Sequence, residues 1–210
     1  MSNEVKTKEK VNMDPKYILE LTLKLFVTCL VVAGLLGATN MVTKDKIAAI
    51  NLEKTQEAMK AVVADPDNST FSDALALTEE MTAAALAGGG TLTEAYEVQV
   101  GGAAAGHALK VVASGSQGNI EMMVGLDAEG VVTGVSIVSH KETAGIGTKV
   151  ADNELNSAGV PVLDQFQGMS AADGALSVGS NVDAISGATV SSKGVTAGVN
   201  AAIAVAGVLG

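Results

Sequence analysis

Hydrophobic and polar residues alternate in different ways along the chain, and the longest apolar run lies near the N-terminus. Residues 25–42 carry no charged side chain. In a helix that rises about 1.5 Å per residue this run would be about 27 Å long, close to the roughly 30 Å hydrocarbon core of a bilayer. Lys24 can extend its amine to the membrane surface, so we interpret residues 21–43 as a transmembrane helix. The long, mixed-charge segment before it, with no small-residue cleavage site after it, favours this over a cleaved signal peptide.

Lysines on the two sides of this helix predict its orientation. Five lysines lie in residues 1–24 and three in residues 44–54. Positive charge is retained on the cytoplasmic side of membranes. We therefore expect a cytoplasmic tail of residues 1–20 and a single-pass protein whose remaining part lies on the extracytoplasmic side.

The segment after the span is predicted to be helical. Leu52, Met59 and Val63 recur at helical spacing, which predicts an amphipathic helix over residues 46–64 that ends at the following Asp-Pro pair. A second helix is predicted over residues 72–87, where a run of three glycines stops it.

The interval over residues 83–106 is rich in alanine and glycine. It predicts a mobile linker or a surface loop, because no strand–glycine–helix order that would bind a nucleotide surrounds it. We accordingly assign residues 44–92 to a helical stalk and linker, and residues 93–210 to a folded domain.

Within that domain the pattern changes to that of β-strands and then to a final helix. A hairpin is predicted at residues 127–130, where Asp-Ala-Glu-Gly separates two apolar runs. A β-region bracketed by helices indicates an α+β fold with an antiparallel β-region flanked by helices. The closing helix, residues 192–208, places Val195, Val199 and Ile203 on one face. The predicted strands are residues 96–100, 108–113, 120–126 and 131–138.

Composition excludes several classes of function. The net charge is −10 and there is no arginine, so the chain lacks the basic clusters with which proteins bind nucleic acids. Cys29 is the single cysteine, and His107 and His140 are the only histidines. We therefore predict no metal-binding cluster, no nucleophilic triad and no catalytic residue. His107 is expected to be a surface residue of a strand.

The most informative motif is Asp-Ala-Ile-Ser-Gly-Ala-Thr-Val-Ser-Ser at residues 183–192. It places the hydroxyl of Thr189 at a glycine-permitted turn where a helix begins, with Asp183 as the expected N-cap. The N-terminus of a helix favours an anion, so this position suits a phosphate. Without arginine, a phosphate here would depend on backbone N–H groups, hydroxyls, Lys193 or a covalent bond.

A second motif, His-Lys-Glu-Thr-Ala-Gly-Ile-Gly at residues 140–147, follows the predicted hairpin. By itself it is typical of a structural loop, because the spacing of its glycines and lysine does not match a phosphate-binding P-loop. Glu142 is then expected to form hydrogen bonds within the loop.

Together the two motifs resemble, in order and approximate spacing, those of the FMN-binding subunits of the Rnf and sodium-pumping NADH:quinone reductase complexes. The resemblance extends from about residue 20 to residue 205. It includes the glycine hairpin at residues 124–130, Phe-Gln-Gly at residues 166–168 and the end of the apolar span at residues 38–43. The G subunit of the Rnf complex is more similar than the C subunit of the quinone reductase, which tends to be longer.

The resemblance implies that Thr189 carries FMN through a phosphodiester bond, because the last threonine of Ser-Gly-Ala-Thr does so in this family. It also implies that the 140–147 loop contributes to the flavin site, where His140 either contacts the flavin or orients the loop. Ala144 replaces a proline of the family pattern, which predicts a more mobile loop when no flavin is bound, and Ile146 replaces a leucine. The predicted cofactor-binding residues are Thr189, Ser186, Gly187, Ala188, Val190, Ser191, Glu142, Thr143, Gly145, Ile146, Gly147 and His140.

The implied function is that of a membrane-anchored electron carrier in an ion-translocating ferredoxin:NAD⁺ oxidoreductase. Its implied partners are the other membrane and redox subunits and a flavin transferase that uses FAD and a divalent metal and recognises Asp183. The flavin ring is expected to pack on aliphatic side chains and backbone of residues 142–147, with Phe166 or Tyr96 as further candidates. Three alternatives stay open: the equivalent C subunit of a sodium-translocating quinone reductase, a non-redox membrane-tethered scaffolding module, and a signal-cleaved secreted flavoprotein.

Overall fold

The computed structural model describes residues 14–209. The chain divides into two units between Ile50 and Asn51. The first thirteen residues, which make up most of the predicted cytoplasmic tail, lie outside the described residues, as does Gly210. A single helix begins in the first unit and ends in the second.

This first helix, α1, runs without interruption over Pro15–Ala61. Pro15 stands at its first position, where the missing N–H costs no helical hydrogen bond. The apolar part of α1 in the first unit is exposed, and it is long and apolar enough to cross a membrane. Within residues 14–209 the only other helix that meets those two criteria is the C-terminal helix of the second unit, more than half of which is buried.

The helix predicted over residues 46–64 is the end of α1 rather than a separate helix, and it stops at Ala61. No glycine or proline follows the apolar run before this segment, so nothing ends the helix there. The predicted apolar face is right at Met59, which is buried, and wrong at Leu52, which is 60% exposed; Thr55 and Ala58 are buried beside Met59 instead. The three buried residues form the face that packs within the second unit.

A five-stranded antiparallel sheet forms the centre of the second unit, and strands adjacent in the chain are adjacent in the sheet. This meander confirms the predicted α+β fold. The predicted hairpin is confirmed too: Asp127 Oδ1 accepts hydrogen bonds from the N–H groups of Glu129 (3.0 Å) and Val131 (2.8 Å). After α1 the elements are β1 (Ser69–Phe71), α2 (Glu79–Gly88), β2 (Thr91–Val100), β3 (Ala103–Ser114), β4 (Asn119–Asp127), β5 (Val132–His140), α3 (Thr148–Ala151) and α4 (Thr189–Leu209).

The prediction of a linker or loop over residues 83–106 is wrong. This interval contains the end of α2, all of β2 and the start of β3. Gly101 and Gly102 form the turn between the strands with φ values of +61° and +84°, the left-handed conformation that a two-residue hairpin requires. Both strands are therefore longer than predicted and belong to the sheet.

The helix predicted over residues 72–87 begins only at Glu79. Thr78 caps it, with Oγ1 accepting a hydrogen bond from the N–H of Met81 (3.2 Å). The segment before the cap lies beside β2 instead, where the N–H of Leu75 donates to the carbonyl of Ala95 (2.8 Å). Pairing with the sheet thus outweighs the helix propensity of this alanine- and leucine-containing segment.

Helices cover both faces of the sheet. On one face α2 and α4 enclose the main core, and on the other the last turns of α1 pack on a smaller cluster. Gly194 lets the first turns of α4 lie against the end of β3, because an added Cβ would collide with the carbonyl of Ser114. The main core includes Leu109, Val111, Met122, Val124, Phe166 and the predicted α4 stripe Val195, Val199 and Ile203; the smaller cluster includes Ala58, Met59, Val62, Val98, Ala108, Met123 and Val138.

Candidate functional site

A cleft of about 160 Å³ lies where the loop after β5 meets the first turn of α4. It joins parts of the two motifs that are forty or more positions apart in the sequence. Most of the predicted cofactor-binding residues therefore meet in one place. Its lining consists of Ser116, Glu142, Thr143, Ile146, Gly147, Gly187, Ala188, Thr189, Val190 and Ser191.

Thr189 is the first residue of α4, three residues before the predicted start, and its side chain is exposed. The turn before it uses Gly187 at φ +82°, with nothing near the position of a Cβ. Ser192 fixes this turn, because its Oγ accepts from the N–H of Ile185 (3.3 Å) and donates to the carbonyl of Ala188 (3.0 Å). The hydroxyl of Thr189 thus stands at the N-terminus of a 21-residue helix, where the helix dipole favours an anion.

The motif predicts Asp183 as the N-cap, but Asp183 does not cap α4, because it lies six positions before the first residue of the helix. Its exposed carboxylate accepts a hydrogen bond from the Ser157 hydroxyl (3.3 Å). Gln165 holds the backbone of Asp183 from both sides, accepting from its N–H (2.8 Å) and donating to its carbonyl (3.0 Å). The carboxylate therefore stands on a fixed surface turn outside the cleft.

Glu142 is the buried charged residue of the cleft, with 9% of its surface exposed. Its Oε1 accepts hydrogen bonds from the N–H groups of Ser116 (2.8 Å) and Gln117 (3.2 Å), and its Oε2 accepts one from the hydroxyl of Ser191. Burial by itself raises the pKa of Glu142. These hydrogen bonds, with the nearby His140, outweigh burial and hold the pKa below its ordinary value, so the carboxylate is ionised at neutral pH.

Two glycines make room for this carboxylate. An added Cβ at Gly115 would collide with Oε1 of Glu142, and one at Gly147 would collide with Oε2 and lie 3.0 Å from Ser191 Oγ. The second glycine of the Gly-Ile-Gly sequence is thus required for space. The first, Gly145, adopts φ +74° with open space around it, so it is required for backbone conformation.

Hydrogen bonds within the loop hold its shape around Ala144, where the family pattern has proline. The carbonyl of Thr143 accepts from the N–H groups of Ile146 (3.2 Å) and Gly147 (3.0 Å), and Thr148 Oγ1 accepts from the N–H of Gly145 (2.9 Å). Ile146 and Val190 line the cleft with exposed apolar side chains, which are 53% and 56% accessible.

Three predicted site residues do not line the cleft: His140, Ser186 and Gly145. His140 Nδ1 accepts a hydrogen bond from the N–H of Glu142 (3.3 Å). Its side chain lines a separate polar cavity of about 470 Å³ together with Lys54 and Asp152. Of the two roles considered for His140, this geometry matches orientation of the loop.

Neither aromatic candidate lines the cleft. Phe166 is buried in the main core, and Tyr96 lines a cavity beside the end of α1. His107 is half-buried on β3 rather than fully at the surface; burial lowers its pKa, an effect that the charge of Glu97 partly opposes. Over the described part of the chain no cluster of three or more His, Cys, Asp or Glu residues could hold a metal ion.

The sequence motifs missed the turn between β3 and β4. Ser116 and Gln117 bind Glu142 through backbone N–H groups, which leave no side-chain signature in a sequence. The signal that could have located the turn is the pair Gly115 and Gly118, whose backbones close it with a hydrogen bond of 2.7 Å.

Comparison with known proteins covers both the domain and the whole chain. The family model of the FMN-binding domain matches residues 115–204, from the turn that binds Glu142 into α4. The chain is 36% identical to the G subunit of the Na(+)-translocating ferredoxin:NAD(+) oxidoreductase complex of Acetobacterium woodii, over 96% of this chain and 97% of that protein.

Two further relatives extend the comparison. The G subunit of the ion-translocating oxidoreductase complex of Methanosarcina acetivorans is 28% identical, over 90% of this chain and 95% of that protein. The G subunit of the proton-translocating ferredoxin:NAD(+) oxidoreductase complex of Clostridium ljungdahlii is 26% identical, over 90% of this chain and 92% of that protein. The shared length, the identity and the FMN-binding domain show that this chain belongs to the family of the G subunits of the ion-translocating oxidoreductase (Rnf) complexes.

Proposed function

We propose that this chain is the membrane-anchored flavoprotein that carries electrons within an ion-translocating ferredoxin:NAD⁺ oxidoreductase complex, with FMN joined to Thr189. The observation that carries the proposal is the position of the Thr189 hydroxyl. It is exposed at the first residue of α4 and lines the cleft that the 142–147 loop completes.

The surroundings of Thr189 suit the phosphate of FMN. The first N–H groups of α4 have no partner within the helix and point towards this end, and the helix dipole adds to their attraction for an anion. The turn at Gly187 is open, with nothing near the position of a Cβ. A phosphodiester on Thr189 could therefore be held by backbone groups, as a chain without arginine requires.

The cleft can take only part of the flavin ring. At about 160 Å³ it is smaller than the roughly 300–1,000 Å³ of pockets that enclose a ligand. Ile146 and Val190 offer exposed apolar surface at its rim, on which the remainder of the ring can pack. A shallow site of this kind binds weakly without a covalent bond, which is a physical reason for attaching the cofactor.

Attachment requires an outside enzyme. In the proposed reaction a flavin transferase with a divalent metal uses FAD: a bond forms between Thr189 Oγ1 and the phosphorus of the FMN part, the bond from that phosphorus to AMP breaks, AMP leaves, and the hydroxyl proton is released. Glu142 lines the cleft, but its lowered pKa makes it a weak base. Asp183, fixed and exposed outside the cleft, is available for recognition by the transferase.

In-gel fluorescence tests the attachment point. Thr189→Val, produced together with the transferase, should lose the fluorescent flavin band on a denaturing gel while the protein band persists. Thr143→Val is the matched control, because it removes another exposed threonine hydroxyl of the same cleft, and it should keep the fluorescent band. Fluorescence that survives Thr189→Val, or an unmodified Thr189 peptide in mass spectrometry, would overturn the proposal.

Omission experiments test the transferase. The fluorescent band should disappear when the transferase is left out and should weaken in Asp183→Asn. Equal labelling with and without the enzyme would argue for self-attachment and against this partner.

Electron transfer is the role proposed for the attached cofactor, since FMN supplies one- and two-electron redox chemistry when it is bound. The chain positions the cofactor and ties it to the membrane through α1. Thr189→Val in an assembled complex should abolish ferredoxin:NAD⁺ oxidoreduction. Full activity of that complex would instead favour a scaffolding role for this protein.

Orientation is proposed from the lysine distribution, with the FMN domain outside the cytoplasm. In a Cys29→Ser background, Ser180→Cys places a thiol at an exposed position of the second unit. An impermeant maleimide should label it in cells that lack an outer membrane, whereas Ser2→Cys should react only after permeabilisation. The reverse pattern would place the domain in the cytoplasm.

A further inference from the structure

Beyond attachment, the cleft contains a charge that acts on whatever is bound there. We propose that the buried carboxylate of Glu142 lowers the reduction potential of the flavin in this cleft, and that the Ser191 hydroxyl is a positioning residue that limits this effect by hydrogen bonding to it. The inference rests on the proposed function, because it concerns a flavin held at Thr189.

Within residues 14–209 no lysine forms an ion pair with Glu142, and the neighbouring His140 accepts a hydrogen bond from the Glu142 N–H through Nδ1. The ion pairs found within residues 14–209 are Lys24–Glu20, Lys110–Glu94 and Lys149–Glu154, and Glu142 belongs to none of them. The chain has no arginine. Hydrogen bonds from Ser116, Gln117 and Ser191 balance the carboxylate, and these are dipoles rather than full charges. A net negative field therefore remains in the wall of the cleft.

The field of this carboxylate reaches a flavin bound in the cleft. Glu142, Ser191 and Thr189 line the same cleft, and only 9% of Glu142 is exposed, so water screens its charge poorly. Reduction adds electrons to the flavin, and a nearby negative charge disfavours added negative charge. The carboxylate thus makes the flavin harder to reduce. This effect becomes larger when the carboxylate loses one of its hydrogen-bond donors.

Two substitutions distinguish the charge of Glu142 from its support of the loop. Glu142→Gln removes the charge but keeps the shape, and its amide oxygen can still accept from the Ser116 and Gln117 N–H groups. Ser191→Ala keeps the charge but removes one hydrogen-bond donor. If the charge of Glu142 sets the flavin potential, these two substitutions should shift the midpoint potential in opposite directions. If the two substitutions only loosened the cleft, both would shift the midpoint potential in the same direction.

An equilibrium redox titration tests the inference. The full-length protein with attached FMN, in detergent at pH 8, is titrated with dithionite and mediator dyes; dithionite is oxidised to sulfite, and the flavin takes up two electrons with protons from water. Glu142→Gln should have a higher midpoint potential than the wild type, and Ser191→Ala a lower one. Glu129→Gln is the charge control, since this exposed residue in the β4–β5 turn lies outside the cleft, and its midpoint should equal that of the wild type.

The outcomes separate this inference from the attachment proposal. Equal midpoints for Glu142→Gln and Glu129→Gln, or shifts of the same sign in Glu142→Gln and Ser191→Ala, would overturn it even if Thr189 carries the flavin. Flavin that persists in Thr189→Val would overturn attachment while leaving the potentials measurable. If Glu142→Gln fails to fold, as judged by circular dichroism, Ser191→Ala decides alone: a lower midpoint supports the inference, and an unchanged or higher one overturns it.

Discussion

Glu142 and Ser191 are joined by a hydrogen bond although 49 positions separate them in the chain. The same carboxylate binds the turn at Ser116 and Gln117. One side chain therefore ties together three segments: the β3–β4 turn, the loop after β5 and the first turn of α4. The place of Thr189 at the cleft depends on this connection, because Ser191 lies two residues beyond it in the same helical turn.

The first prediction concerns acid stability. The folded-state pKa of Glu142 lies below its ordinary value of 4.5. The ionised carboxylate therefore adds to the free energy of unfolding at higher pH, and this contribution is lost as the pH falls from about 5 through the folded-state pKa. Glu142→Gln should reduce the free energy of unfolding by about 1.5–3 kcal/mol at pH 7. The difference from the wild type should shrink towards pH 3. Urea unfolding of the full-length protein in detergent measures both values.

Thr143→Val serves as the control for this experiment, since it alters the same loop without removing an ionisable group. Its difference from the wild type should stay constant between pH 7 and pH 3. His140, which accepts a hydrogen bond from the Glu142 N–H, is unchanged in both variants. A Glu142→Gln difference that does not vary with pH would contradict the role given to the ionised carboxylate.

The second prediction compares two glycines of the same loop. Gly147→Ala forces the Glu142 carboxylate or Ser191 to move, because its Cβ would collide with them, and we expect a loss of about 1–3 kcal/mol in unfolding free energy together with a weaker flavin band. In Gly145→Ala the new Cβ meets open space, and the only strain is the left-handed φ of +74°. This strain should lower the free energy of unfolding by about 1–2 kcal/mol. Gly145→Ala should retain the band. Equal loss of flavin in both variants would show that space beside Glu142 is not the cause.

The third prediction concerns the end of α1. Val62, just after the helix, packs its backbone on Gly125 and Gly134, where an added Cβ would meet it closely. Thr133 Oγ1 donates a hydrogen bond to the Val62 carbonyl (2.6 Å). Thr133→Val should therefore cost about 1–3 kcal/mol of unfolding free energy, because the carbonyl of the buried Val62 loses its donor. Thr133→Ser keeps the hydroxyl and should cost less in the same urea unfolding measurement; an equal cost in the two variants would show that the hydrogen bond is not the main contribution of Thr133.

How far the fold could be predicted depends on how local the responsible interactions are. The hairpin at Asp127 and the buried stripe of α4 were predicted, because turn chemistry and a 3.6-residue period act within a few residues. The start of β3 at residues 103–107 was missed because alanine and glycine hide the pattern of a strand there, and the start of β2 at residues 91–95 was missed as well. The Gly101-Gly102 pair was a hairpin signal there that composition obscured.

The site divides in the same way. The meeting of the 142–147 loop with Thr189 was implied by the resemblance of the two motifs to those of the FMN-binding family, since the loop by itself is typical of a structural loop. The start of α2 at Glu79 and the binding of Glu142 by the Ser116–Gln117 turn could not be predicted, since both depend on backbone groups brought together by the sheet. Tertiary contacts of this kind have no side-chain signature.

The last prediction concerns the rim of the cleft. If the flavin at Thr189 rests on the exposed side chains of Ile146 and Val190, replacing either with serine should leave the covalent band intact but open the ring to water. Iodide should then quench the flavin fluorescence more strongly than in the wild type. Leu155→Ser is the matched control, since it removes an apolar side chain that is similarly exposed (61%) and lies outside the cleft, and its quenching should equal that of the wild type. Quenching that rises in the control, or in neither rim variant, would show that the ring packs elsewhere.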